Sequence, residues 1–183
     1  MLRLLNLNNL SRGLMAKEFD TYDRNGTLMV PDVLSAEGRE WYSSIFRDAV
    51  TNFDEEWLAE QLLAPEYIGV ESTAGENGTV GRPVDPSVIE AFVKGEFNRL
   101  YCRAVCRMAL DKGEQNVIVY QAEDFADPVP EYIACEGRAV PARPLYASLE
   151  HATLDDFLEL PPQRRQSALC VKLPDTQSTT SGS

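Results

Sequence analysis

The sequence predicts an α+β fold, with one long central helix and shorter amphipathic helices packed with a small β-sheet. Three observations predict it. Residues 86–112 carry one apolar stripe at helical spacing: Ile89, Phe92, Val93, Phe97, Leu100, Tyr101, Ala104 and Met108. Residues 41–53 repeat apolar side chains every three or four positions. Asn116-Val-Ile-Val-Tyr120 is β-branched and aromatic, and 167–173 reads as a last strand, with Ala168, Cys170 and Leu173 as packing candidates. A chain of 183 residues fits one domain. Its 44 % hydrophobic and 25 % charged residues are those of an ordinary globular protein, which excludes wholesale disorder, collagen-like repeats and a disulfide-dense miniprotein.

Residues 1–34 are expected to form an N-terminal arm, with a short helix over 11–19, a turn at Asp23-Arg-Asn25-Gly26 and a short strand over 27–30 that Pro31 stops. Residues 35–173 are the single α+β domain. Ser35 caps its first helix, with Glu37 in the first turn; Trp41, Tyr42, Ile45, Phe46, Ala49, Val50 and Phe53 form the buried face. Asp54 caps a second, short helix containing Trp57, Leu58, Leu62 and Leu63. A polar loop at 64–85 follows, where 67–70 and 79–82 either pair around Asn77-Gly78 as a hairpin or remain a mobile loop.

Asp85-Pro86 starts the long helix, with a carboxylate at the N-cap and proline at the first helical position, and Gly113 ends it about 40 Å later. After the 116–120 strand, Pro128-Val-Pro130 bends the chain and 131–135 is expected to be extended. Residues 145–150 form a short helix, Thr153 caps a turn through Leu158, and Pro161-Pro162 terminates it. The Ser- and Thr-rich tail at 174–183 is expected to be disordered.

The charge is −12, from 17 Lys and Arg against 29 Asp and Glu. That argues against direct nucleic-acid binding, which needs cations to replace counterions, and against docking on anionic lipid. No apolar run approaches the roughly 20 residues of a membrane span. Asn6, Asn8 and Asn9 interrupt the apolar opening, so no secretion signal is expected, and Asn25-Gly-Thr27 and Asn77-Gly-Thr79 read as turns. Cys102, Cys106, Cys135 and Cys170 are expected to be free, buried thiols, as suits a cytoplasmic setting. A zinc site would need more ligands than the single His151 supplies, so no metal or cofactor is expected.

Thr21 to Asp32 resembles an EF-hand loop at Asp23, Asn25, Gly26 and Leu28, but lacks the first acid and the final glutamate; calcium is rejected. Glu123, Asp124 and Asp127, the pair Asp155-Asp156, and Asp54-Glu55-Glu56 are acid clusters of the kind hydrolases use. Solvated faces and helix starts explain them more simply. His151 has no nucleophile motif beside it, and no Walker or GxGxxG loop is present, so no enzymatic activity is expected.

Arg99, Arg103 and Arg107 recur every four residues and form a basic stripe on the long helix. Guanidinium groups bind phosphate or carboxylate through paired donors, so the stripe is a candidate protein contact, as is the 1–19 arm. The rival reading pairs the arginines with this chain's own acids or leaves them solvated.

Phe97-Asn-Arg-Leu-Tyr101, Arg103, Cys106, Ala109, Gly113, Val119-Tyr120, Pro128-Val-Pro-Glu131, Leu160-Pro-Pro162 and Ser167-Ala-Leu-Cys-Val-Lys-Leu173 together resemble a group of small bacteriophage and prophage proteins from the virion-structure region of phage genomes. The resemblance spans 97–173 and carries no catalytic signature. It implies a virion structural or assembly protein, such as a minor capsid, cement or head-to-tail component. Its partners would be other virion proteins and further copies of itself, and its location the virion, with the host cytoplasm during assembly. The alternative reading is an acidic inhibitor, a DNA mimic that places its carboxylates in the basic groove of a host nucleic-acid enzyme.

Overall fold

A computed structural model describes residues 1–75, 78–124, 129–161 and 168–175. Asn77, Asp127, Pro128, Pro162, Ser167 and the tail from 176 onward lie outside the described residues. The architecture is α+β. Helix α1 (Asn9–Asn25) is followed by α2 (Ala36–Asn52), α3 (Glu55–Leu62), a hairpin of β1 (Val70–Gly75) and β2 (Gly78–Pro83), and the long α4 (Pro86–Asp111). Strand β3 (Asn116–Gln121), α5 (Pro130–Ile133), β4 (Ala139–Pro141), α6 (Ala142–Ser148), α7 (Leu154–Phe157) and β5 (Leu169–Lys172) complete the chain.

Helix α4 is the centre. Asp85 accepts from the Ser87 amide at its N-cap with Pro86 at the first position. Gly113, at φ 78°, follows its end. From Glu96 to Cys106 every residue is buried, because α1, α3, α6 and the sheet all pack on this segment. The sheet has the order β4-β3-β5, antiparallel throughout, with Val119 opposite Val171 and Val117 opposite Val140. A central strand buried among helices needs the β-branched run that 116–120 supplies.

Several expectations shift, each for a packing reason. The 11–19 helix extends over 9–25, because Met15, Phe19 and Tyr22 fall at four- and three-residue steps and all bury. Asn8 opens it with a capping box to Ser11, and Gly26, at φ 66°, closes it. The expected turn is thus a helix end, and Thr21, Asp23 and Asn25 are helical rather than arrayed in a cation-binding loop. Residues 27–30 form no strand; the nearest pairing is an isolated bridge between Leu34 and Ile68. Segment 131–135 is a short helix through Ile133 followed by a turn rather than extended, since Pro130 sits at the first position of α5 and Tyr132 buries completely. Strand β4 is not among the expected elements: the three residues Ala139–Pro141 are too few to show a period.

The 1–34 segment belongs to the body. Leu2, Met15, Phe19, Tyr22 and Leu34 lie in the same core as α4. Its first residues are sewn to the sheet. The Arg3 amide donates to the Ala122 carbonyl at 2.8 Å, and the Tyr120 hydroxyl to the Arg3 carbonyl at 2.8 Å. The Asn6 amide donates to the Tyr101 hydroxyl at 2.9 Å, while the Asn6 side chain accepts from the Leu173 amide at 2.9 Å. That last bond covers an amide just beyond edge strand β5.

The β1–β2 hairpin is built differently. Its register runs from Val70 opposite Pro83 to Gly75 opposite Gly78. Among the described residues, each strand makes extensive contact only with the other. The base is fixed to the body: Gly69 donates to the Val33 carbonyl at 2.7 Å, and the Ser35 amide to the Tyr67 carbonyl at 2.9 Å. Gly38 in α2 lies beneath that base, and a Cβ there would collide with the Tyr67 carbonyl. Gly38→Ala is expected to cost about 1–3 kcal/mol in denaturant titration, the usual penalty of overpacking against backbone. A neutral result would show that the base is not held against α2.

Among the described residues, no helix is long and apolar enough to cross a membrane.

Candidate functional site

The arginine stripe turns inward. The Arg99 guanidinium donates to the Glu96 carboxylate at 2.6 Å and to the carbonyls of Leu149 at 3.0 Å and Glu150 at 3.3 Å. Arg103 donates twice to one Glu18 oxygen, at 2.7 and 2.9 Å, and to the Tyr146 carbonyl at 2.8 Å. It also lies 4.1 Å from the centre of the Tyr146 ring, and Arg99 lies 4.8 Å from that of Tyr22. Each arginine is only 5 % exposed. The protein-contact assignment of Arg99 and Arg103 is therefore corrected: they fasten α4 to α1 and to the C-terminal end of α6, whose carbonyls a planar fork of donors suits. Arg107 alone remains on the surface, paired with Asp111 one turn on at 3.1 Å.

Burial works against the charge of Arg99, but the adjoining Glu96 carboxylate outweighs it and holds the pKa above its ordinary value. Burial pushes the Tyr22 and Tyr146 hydroxyls up. The cluster is thus a buried ionic lock.

Among the described residues, a concavity lies elsewhere. A cleft of about 630 Å³ opens between α3 and the first turns of α4. Ala59, Leu63 and Ala91 line its apolar part, and Glu56, Glu60 and Glu90 its acidic part. Glu123 and Lys94 form an ion pair at one wall, and Glu56 pairs with the Met1 ammonium. Glu55 turns inward, 5 % exposed, and accepts a hydrogen bond from the Leu2 amide.

Burial raises the Glu55 pKa above the ordinary carboxyl value. The folded state then binds its proton more tightly than the unfolded chain does. Stability contributed by this group is fully present below the unfolded pKa and is lost as pH rises through the folded one. Glu55→Gln is expected to raise the melting temperature at neutral pH and to flatten its dependence just above pH 4.5. A variant that melts lower at neutral pH would show that the ionised carboxylate is the better partner for Leu2.

The other described acids of the candidate clusters have partners of their own. Asp54 caps α3 by accepting from the Trp57 amide at 2.9 Å. Asp155 accepts from the Tyr132 hydroxyl at 3.3 Å, Asp156 closes the capping box with Thr153, and Asp124 lies 3.7 Å from Arg3. His151 is exposed after α6. Among the described residues, no group of three or more His, Cys, Asp or Glu is placed to hold a metal ion.

Sequence reasoning missed Glu18, Tyr22 and Tyr146 as arginine partners. It missed Glu96 as well, although three-residue spacing from Arg99 on one helix is a signal that could have found it. Glu18 is 85 residues from Arg103, and no local spacing announces it. The chain matches no protein-family model, and no curated protein or solved structure is significantly similar to it.

Proposed function

We propose that this chain is a phage virion structural or assembly protein that acts through protein–protein contacts rather than by catalysis. The observation that carries the reading is the β1–β2 hairpin, which is anchored at its base and packs extensively on no other described element. Two strands alone are marginal in water and leave backbone groups unpaired at both edges, so a neighbouring chain that covers them gains hydrogen bonds at once. The resemblance over 97–173 supports the same reading. Other virion proteins and further copies of this chain are the partners, in the virion and in the host cytoplasm during assembly.

Exposed acids such as Asp23, Glu40, Asp48, Asp111, Glu136 and Glu159 are spread over many elements. That distribution favours this reading over a DNA mimic, which needs one concentrated acidic face. The test is quantitative mass spectrometry of purified particles. A fixed copy number that matches a ring or shell symmetry is expected. A chain absent from particles and monomeric in solution would overturn the proposal.

A further inference from the structure

Two buried thiols from distant parts of the chain converge on one atom. Cys102, on α4, and Cys170, on β5, both donate to the side-chain oxygen of Asn98, at 3.3 and 2.7 Å. Asn98 in turn donates to the Leu169 carbonyl at 2.7 Å, which sets its oxygen toward the sulfurs. All four cysteines are free and buried. Cys106, one turn along α4 from Cys102, has no bond to this oxygen.

We propose that Cys102 and Cys170 are a latent disulfide pair whose closure fastens edge strand β5 to the central helix. A disulfide needs its sulfurs in contact and its backbones within a few ångströms of bridging geometry, and a shared acceptor brings the two side chains together. The oxidant is a low-molecular-weight disulfide. Among the described residues, strand β5 is paired on one side only, so Cys170 meets the oxidant first when β5 parts from β3. The Cys170 thiolate attacks one sulfur of the reagent, forming a mixed disulfide and releasing one thiolate. The Cys102 thiolate then attacks the Cys170 sulfur, forming the internal bond and releasing the second. The two protein protons end on the two released thiolates; two protein thiols are oxidised and one reagent disulfide is reduced.

Burial pushes the Cys170 thiol well up, and while the site is closed it remains a protonated donor to Asn98. Closure is consequently slow and follows local opening. Once formed, the bond encloses β3, β4 and the three short helices in one covalent loop, which restricts the unfolded chain.

Incubation of the folded full chain with oxidised glutathione tests this. The intact mass is expected to fall by two hydrogens, a non-reduced peptide map to join the Cys102 and Cys170 peptides, and the melting temperature to rise by roughly 5–15 °C, reversed by dithiothreitol. Cys135→Ala is expected to keep the cross-link. Four free thiols after prolonged incubation, a persistent mixed disulfide, or a link through Cys106 or Cys135 would each overturn the proposal.

Discussion

Replacing Arg103 with methionine is expected to lower the unfolding free energy by roughly 3–5 kcal/mol. Methionine keeps much of the side-chain volume over the Tyr146 ring, so the loss isolates the charge. Glu18 would be left with a desolvated carboxylate, and the Tyr146 carbonyl would lose a donor. Pairing the change with Glu18→Gln is expected to recover much of the loss, since removing both charges leaves neither one stranded. Arg107→Ala is the control. Its pair with Asp111 is half exposed, and about 0.5 kcal/mol or less is expected. Urea titrations of the four proteins decide the matter. Similar costs at Arg103 and Arg107 would mean that both are surface residues.

Replacing residues 71–82 by a two-residue Gly-containing turn is expected to leave the melting temperature almost unchanged and to abolish incorporation into particles. Val70 and Pro83 face each other at the base of the hairpin, so a short turn can join them. The body loses little packing with the hairpin, because the strands contact chiefly each other. Calorimetry measures the first effect, and competition with the parent chain during assembly measures the second. A shortened chain that enters particles normally would move the contact surface elsewhere.

What was legible in the sequence followed local chemistry. Asp85-Pro86, Gly113, Ser35, Asp54 and Thr153 mark helix ends, because caps satisfy backbone groups within three or four residues. The 116–120 strand showed itself by β-branching. The extent of α1 did not, since its last turns are held by Phe19 and Tyr22 packing on elements far away in sequence. Strand β4 and helix α5 were hidden by their brevity. The arginine stripe is the instructive case. Its four-residue spacing was read correctly as one helix face, yet spacing says nothing about what covers that face. Here α1 brings Glu18 and Tyr22, and α6 brings Tyr146. Arg99 and Arg103 are consequently closed to partners.

We propose a body that buries Arg99 and Arg103 against its own groups and offers the hairpin as its contact element. Amide hydrogen exchange on the purified chain and on the same chain within particles tests it most directly. The account predicts that amides of β1 and β2 exchange quickly in the free chain and become protected in the particle, while α4 is protected in both. Unchanged exchange across 70–83, with new protection confined to the helical body, would contradict it.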